Sequence, residues 1–142
     1  MEEDEHLIRN VREGVDRLEE RLRKLTAPSE GALADTARRI YAARRLRDRF
    51  FAAGLFADPA WDMLLGLYIA ADEGRDMSIS SACASAAVPP TTGLRWLLRL
   101  EQERLVRRRP SSRDRRRVLV QLTEDAAERL EQALARIASL GG

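Results

Sequence analysis

The chain has 142 residues with 25 basic and 23 acidic side chains, a formal net charge of +2 and 44% apolar residues, enough for one compact domain plus one extended element and too little for a catalytic core beside a separate regulatory domain. No apolar run approaches the roughly 18 to 20 residues needed to cross a bilayer, and the acidic start from Glu2 to Glu5 has the wrong charge for a signal peptide, so a cytoplasmic protein with no membrane partner is expected. A lone cysteine, Cys83, and a lone histidine, His6, cannot supply a disulfide or an ordinary metal-ligand cluster, so no metal and no cofactor is expected.

Ile8, Val11, Val15, Leu18, Leu22 and Leu25 are spaced by 3, 4, 3, 4 and 3 residues. That a/d heptad pattern predicts a helix over about residues 3 to 25. Its apolar stripe is narrow and flanked by charge, which suits pairing with another helix, most simply its own copy; packing on the body of the same chain is the other reading. Residues 1–27 are therefore set apart as a unit for dimerisation or partner docking, with 28–142 as the main domain.

Thr26-Ala27-Pro28-Ser29 breaks the first helix, and Ser29 can cap a second running from about Glu30 to Phe51. Gly54 ends that segment. Asp58-Pro59 opens a strongly apolar helix from Ala60 to Ala71, the expected centre of the core, which closes at Asp72-Glu73-Gly74. Met77 to Ser80 can form a short strand or turn, and Ser81 to Ala87 a two-turn helix of small residues. Val88-Pro89 ends it, and Pro90 starts a helix reaching about Glu103. There Leu94, Leu97, Leu98, Leu100 and Leu105 are expected to point inward, Trp96 to anchor the helix to the body, and Thr91, Thr92, Arg95, Arg99 and Gln102 to stay outside. Leu105 to Arg109 and Arg117 to Leu122 read as a two-stranded hairpin. Thr123 caps a last helix, Glu124 to about Leu140, which Gly141-Gly142 stops.

Charge is not spread evenly over these elements. Residues 95 to 117 hold ten arginines against three acids, a local charge of +7, which is the footprint of a polyanion partner. A helix, a turn, a second helix and an arginine-rich hairpin are the parts of a winged helix, in a mainly α fold with a two- or three-stranded wing sheet. A major groove admits one helix, whose first residues meet base edges; Thr91, Thr92 and Arg95 occupy that end. An arginine on a narrow hairpin tip can enter the minor groove, and Arg113 and Arg116 are placed for it. Asp114 between them is expected to orient an arginine through a bidentate pair. The competing readings are an ordinary surface helix and a solvated basic loop; the valines flanking the loop argue against the second.

The segment Val88-Pro89-Pro90-Thr91-Thr92-Gly93-Leu94-Arg95, the pair Leu100-Glu101, the run Leu105-Val106-Arg107-Arg108, and above all Arg113 to Thr123 with its D-x-R and L-T spacing, resemble the MarR family of multiple-antibiotic-resistance regulators over about residues 35 to 140. The resemblance implies a homodimeric repressor or activator on a pseudo-palindromic double-stranded DNA operator, often released by a small-molecule effector. It carries Thr91, Thr92 and Arg95 to base or backbone contact, and Asp114 and Arg116 to the wing. Three features depart from the family pattern. Gly93 inside the recognition helix costs roughly 1 kcal/mol relative to alanine and is expected to weaken base reading; Ser111 stands where many members have an acid, so the wing is expected to be held less firmly; and the heptad helix is an addition.

Cys83 has no cationic neighbour in sequence and reads as a buried small hydrophobe rather than a redox sensor. Phe50, Phe51, Phe56, Trp61 and Tyr68 read as core, with the lining of an effector pocket as the second possibility. No nucleophile with a base, phosphate loop or paired carboxylate cluster is visible, so an enzyme is not expected. The alternative function is an interaction protein that recruits a partner through the heptad helix, with weak or non-specific DNA binding.

Overall fold

The computed structural model describes residues 2–26 and 29–141, without the side chains of residues 20, 22–26 and 30. Its elements are α1 (Glu2–Thr26), α2 (Glu30–Arg47), α3 (Pro59–Asp72), α4 (Ile79–Ser85), α5 (Pro90–Gln102), β1 (Val106–Pro110), β2 (Val118–Leu122) and α6 (Glu124–Leu140). The mainly helical winged-helix class expected from the sequence is what forms. None of the described helices is long and apolar enough to cross a membrane.

α1 has the expected extent, while the break expected at Ala27-Pro28 and the stop at Gly142 lie outside the described residues. Ile8, Val11, Val15 and Leu18 are all exposed, and none of them belongs to either core cluster. The side chains of Leu22 and Leu25 lie outside the described residues.

α2 begins where expected, with the Ser29 hydroxyl accepting from the Ala32 amide at 3.3 Å. It ends at Arg47, not Phe51. The amides of Arg49 and Phe50 turn back to the carbonyls of Leu46 and Arg47 at 3.1 Å, and Arg47 donates to the Phe56 carbonyl at 3.1 Å while its guanidinium lies 4.4 Å from the Phe56 ring. That double hold on Phe56 folds the chain back early. Phe50 and Phe51 consequently leave the helix and lie 74% and 55% exposed, not in the core.

α3 is apolar nearly all round because two cores claim its opposite faces. Met63 and Leu67 pack with Ala82, Leu97, Leu100, Val106 and Val120 beneath α4, α5 and the hairpin. Leu65 and Tyr68 pack with Leu33, Ala34, Ala37, Leu130 and Leu134 from α2 and α6. α3 thus ties the α2/α6 layer to the helix pair and wing.

α4 starts two residues before the expected Ser81, because the Ser78 hydroxyl accepts from the Ser81 amide at 3.1 Å and caps it. Ser78 also bridges Leu119, and the Met77 carbonyl accepts from the Val120 amide at 2.8 Å. The sheet therefore has two strands, with Met77-Ser78 alongside as a single bridge.

On α5 the inward line is Gly93, Leu97 and Leu100. Leu94 and Leu98, each one residue and about 100° further round the helix, are 41% and 45% exposed, and Trp96 also lies at the surface instead of anchoring the body. A leucine-rich helix offers more apolar positions than one face can bury, and the position that must come closest is the glycine.

Candidate nucleic-acid interface

α4 and α5 meet through a close approach at Gly93 that leaves little room for a side chain. A Cβ placed on Gly93 would lie 3.0 Å from the Cys83 Cβ, 3.1 Å from the Cys83 carbonyl oxygen and 3.2 Å from its Cα. Gly93 is buried against α4, so its missing side chain removes nothing from the outer face, contrary to the expected weakening of base reading there. Cys83 itself is buried, and desolvation pushes its thiol pKa up against a smaller opposing effect of Arg108. That environment fits the buried small hydrophobe and keeps the reactive thiolate scarce.

With Gly93 inward, the first turns of α5 leave Thr91 and Arg95 exposed and Thr92 half-buried. Arg95 has no ion-pair partner among the described residues. Arg99 pairs with Glu103 at 3.2 Å along the same helix.

The wing grows from the root of α5. Arg108 on β1 donates to Glu101 at 2.6 to 2.7 Å, which fixes the strand against the helix end, and the Thr123 hydroxyl donates to the Arg104 carbonyl at 2.9 Å while accepting from the Ala126 amide. Glu101 is the residue that sequence reasoning missed; its signal was being one of three acids inside the arginine run. The strands run antiparallel from Val106 opposite Leu122 to Pro110 opposite Val118. Only Val106 of β1 is buried, so the rest of that strand projects into solvent.

The tip is organised by Ser111. Its hydroxyl is buried and accepts from the amides of Arg113 at 3.2 Å and Asp114 at 3.4 Å, while its own amide donates to the Arg117 carbonyl at 2.8 Å. A serine here holds the turn from inside, contrary to the expected loosening. Asp114 accepts from the Arg116 amide at 3.0 Å. It positions backbone, not the arginine side chain that the sequence reading assigned to it. Ser111→Ala should therefore free two loop amides, with a loss of about 1 to 2 kcal/mol concentrated at the tip. Amide exchange at Arg113 and Asp114 should accelerate while exchange in α3 stays unchanged; equal acceleration in both places would show that Ser111 does not act locally.

Of the ten arginines between 95 and 117, Arg99 and Arg108 are committed to acids. Arg95, Arg113 and Arg116 are exposed, as expected for the contact set, and Arg104, Arg107, Arg109, Arg115 and Arg117 join them. The sequence-selected Thr91, Thr92 and Arg95 thus share the start of α5, and Arg113, Asp114 and Arg116 share the wing tip.

A cavity of about 520 Å³ lies among α2, α3 and α4, lined by Arg38, Tyr41, Gly66, Arg75, Ser81 and Ser85 among others. None of Phe50, Phe51, Phe56, Trp61 and Tyr68 lines it, so the aromatic pocket considered from sequence does not form there. Arg38 is already held by Asp35, Asp72 and Glu73, and Arg75 by Glu73. Among the described residues no group of His, Cys, Asp or Glu side chains is arranged to hold a metal ion.

The same arrangement occurs in solved structures. AF1382 from Archaeoglobus fulgidus superposes with a TM-score of 0.51 at 18% identity, covering 68% of this chain and 98% of that one. S. aureus MepR bound to ethidium bromide gives 0.50 at 15% identity, covering 72% and 75%. The chain has a MarR-like winged-helix fold. In this MarR-like frame α4 and α5 are the helix-turn-helix and β1 with β2 the wing. Lactococcus lactis ZitR is also similar, at a TM-score of 0.44 and 18% identity, and the chain spans only 60% of its length. No family model and no curated protein matches the sequence.

Proposed function

We propose that the chain is a sequence-specific double-stranded DNA-binding transcriptional regulator, acting in the cytoplasm as a homodimer on a pseudo-palindromic operator. The observation that carries this reading is the set of uncompensated arginines on two linked elements, the start of α5 and the wing tip, joined at their root by the Glu101–Arg108 pair. Arg95 reads a guanine edge in the major groove, with Thr91 and Thr92 on phosphate or a thymine methyl. Arg113 and Arg116 follow the minor groove, and Asp114 shapes the loop that presents them. Residues 28–142 form the reading unit and residues 1–27 the association unit. A small-molecule effector has the cavity beside Tyr41, Ser81 and Ser85 available to it.

Selection of bound duplexes from a random pool, followed by anisotropy titration, tests this. Two half-sites about 34 Å apart, roughly one helical turn, are expected. Arg95→Ala should change sequence preference. Arg116→Ala should lower affinity across all duplexes and reduce the slope of log affinity against log salt by about 0.9, the value for one phosphate contact. Unchanged duplex binding in both variants at moderate salt would leave the interaction-protein reading in its place.

A further inference from the structure

We infer that α1 is a self-pairing surface, in which the α1 helices of two copies pack antiparallel along Ile8, Val11, Val15 and Leu18; this rests on the homodimer reading above. A 25-residue helix spans about 37 Å at 1.5 Å per residue. Its described seam residues lie in water and belong to neither core cluster, and Gly14 interrupts its middle. Helices with so little tertiary support are marginal in water, so this one needs a partner along its stripe.

Charge along the helix selects the partner and its direction. Residues 2 to 13 carry five acids and two arginines, a charge of −3, with Glu2, Glu3, Asp4 and Glu5 together in the first turn. Residues 14 to 26 carry three acids and four bases, a charge of +1, with Arg21, Arg23 and Lys24 close together in sequence. A parallel pair would set the two acidic ends side by side. An antiparallel pair sets each acidic end against the basic stretch of the other copy. With Ile8, Val15 and Leu22 at heptad positions a and Val11, Leu18 and Leu25 at d, the antiparallel register brings Val15 of one copy to Leu18 of the other, and Arg12 of one copy beside Glu19 of the other. The helix is therefore complementary to itself reversed.

Pulsed electron spin resonance on the full chain, in a Cys83→Ala background that keeps the Cβ, decides the matter. Spin labels go on Arg9→Cys and Asp16→Cys, both exposed and off the seam at position b. In the antiparallel register Arg9 faces residue 24 of the other copy, so its two labels are offset by about 22 Å along the axis and those at Asp16 by only about 1.5 Å. The distance at Arg9 should exceed that at Asp16 by about 10 Å for helices roughly 8 to 10 Å apart. Equal distances mean a parallel pair and overturn the inference. Absence of dipolar coupling at both sites overturns it too, whether α1 then binds another protein or none. The stoichiometry of the same labelled protein on a duplex separates the two readings. Two copies per duplex without coupling removes the α1 pairing alone, whereas one copy per duplex removes the homodimer as well.

Discussion

Asp62→Ala should cost about 3 to 5 kcal/mol, the range for removing one member of a buried ion pair. Asp62 sits in the first turn of α3 with 0% exposure, and it is the anion for two arginines of α2. Arg44 holds both carboxylate oxygens, through Nε to Oδ1 and Nη2 to Oδ2 at 3.1 Å, and Arg45 reaches Oδ2 at 3.0 Å. The hydrogen bond that Arg44 donates to Asp62 raises the Arg44 pKa against the cost of burial. For Arg45 burial is the largest effect and lowers the pKa, but the hydrogen bond and charge of Asp62, with help from Tyr41, more than offset it. Arg45 also leaves Nε and Nη1 buried without a hydrogen-bond partner and rests 5.0 Å from the Tyr41 ring centre. Removing the carboxylate leaves two poorly hydrated cations facing each other.

Against a typical total of about 5 to 15 kcal/mol, such a loss is decisive. At roughly 3 to 4 °C per kcal/mol for a chain of this size, Tm should fall by about 10 °C or more. Calorimetry or urea titration reads this directly, and a loss under about 1 kcal/mol would show that water or rearrangement compensates the arginines. The sign with pH follows from the raised arginine values. A raised folded-state pKa contributes stability that is present below the unfolded value and lost only as pH climbs through the folded one, so the arginine side of this cluster is constant across neutral and acidic pH.

The sequence reading took α3 as apolar nearly all round and passed over Asp62 and its partners. Five arginines between 38 and 47 could have turned inward, and a period of 3.6 does not say which do so when α2 is amphipathic mainly in size. The hairpin was legible because its valines alternate and its loop is built of turn residues. Asp114 was misread because a carboxylate accepts equally well from a guanidinium or an amide, and only the fold of the loop brings the Arg116 amide within 3.0 Å. Phe50 and Phe51 were read as helical core because nothing local marks the end of α2; the stop comes from Arg47 gripping Phe56, nine residues on.

Gly93 was misread for a related reason, and it carries the second large effect. Glycine in a helix is unfavourable by roughly 1 kcal/mol relative to alanine, so a sequence reading charges it against the helix. In the fold its cost is offset by the contact it allows. Gly93→Val should destabilise the chain by about 1 to 3 kcal/mol, the range for overpacking, because the added Cβ meets Cys83 at 3.0 to 3.2 Å through atoms of its backbone and Cβ. A carbonyl oxygen and a Cα cannot swing aside as a long side chain would. Relief comes only by moving α5 off α4, which displaces Thr91 and Arg95 relative to the wing that Glu101 holds through Arg108. Duplex affinity measured where the variant is still folded should therefore fall by at least about tenfold, beyond the loss of folded protein, since a shift worth 1.4 kcal/mol at the contacts suffices. Cys83→Ala is the control that fixes the cause. Alanine keeps the Cβ, Cα and carbonyl that meet the new side chain, so it should not rescue Gly93→Val; full rescue would place the clash at the sulfur and refute the geometry argued for the recognition helix.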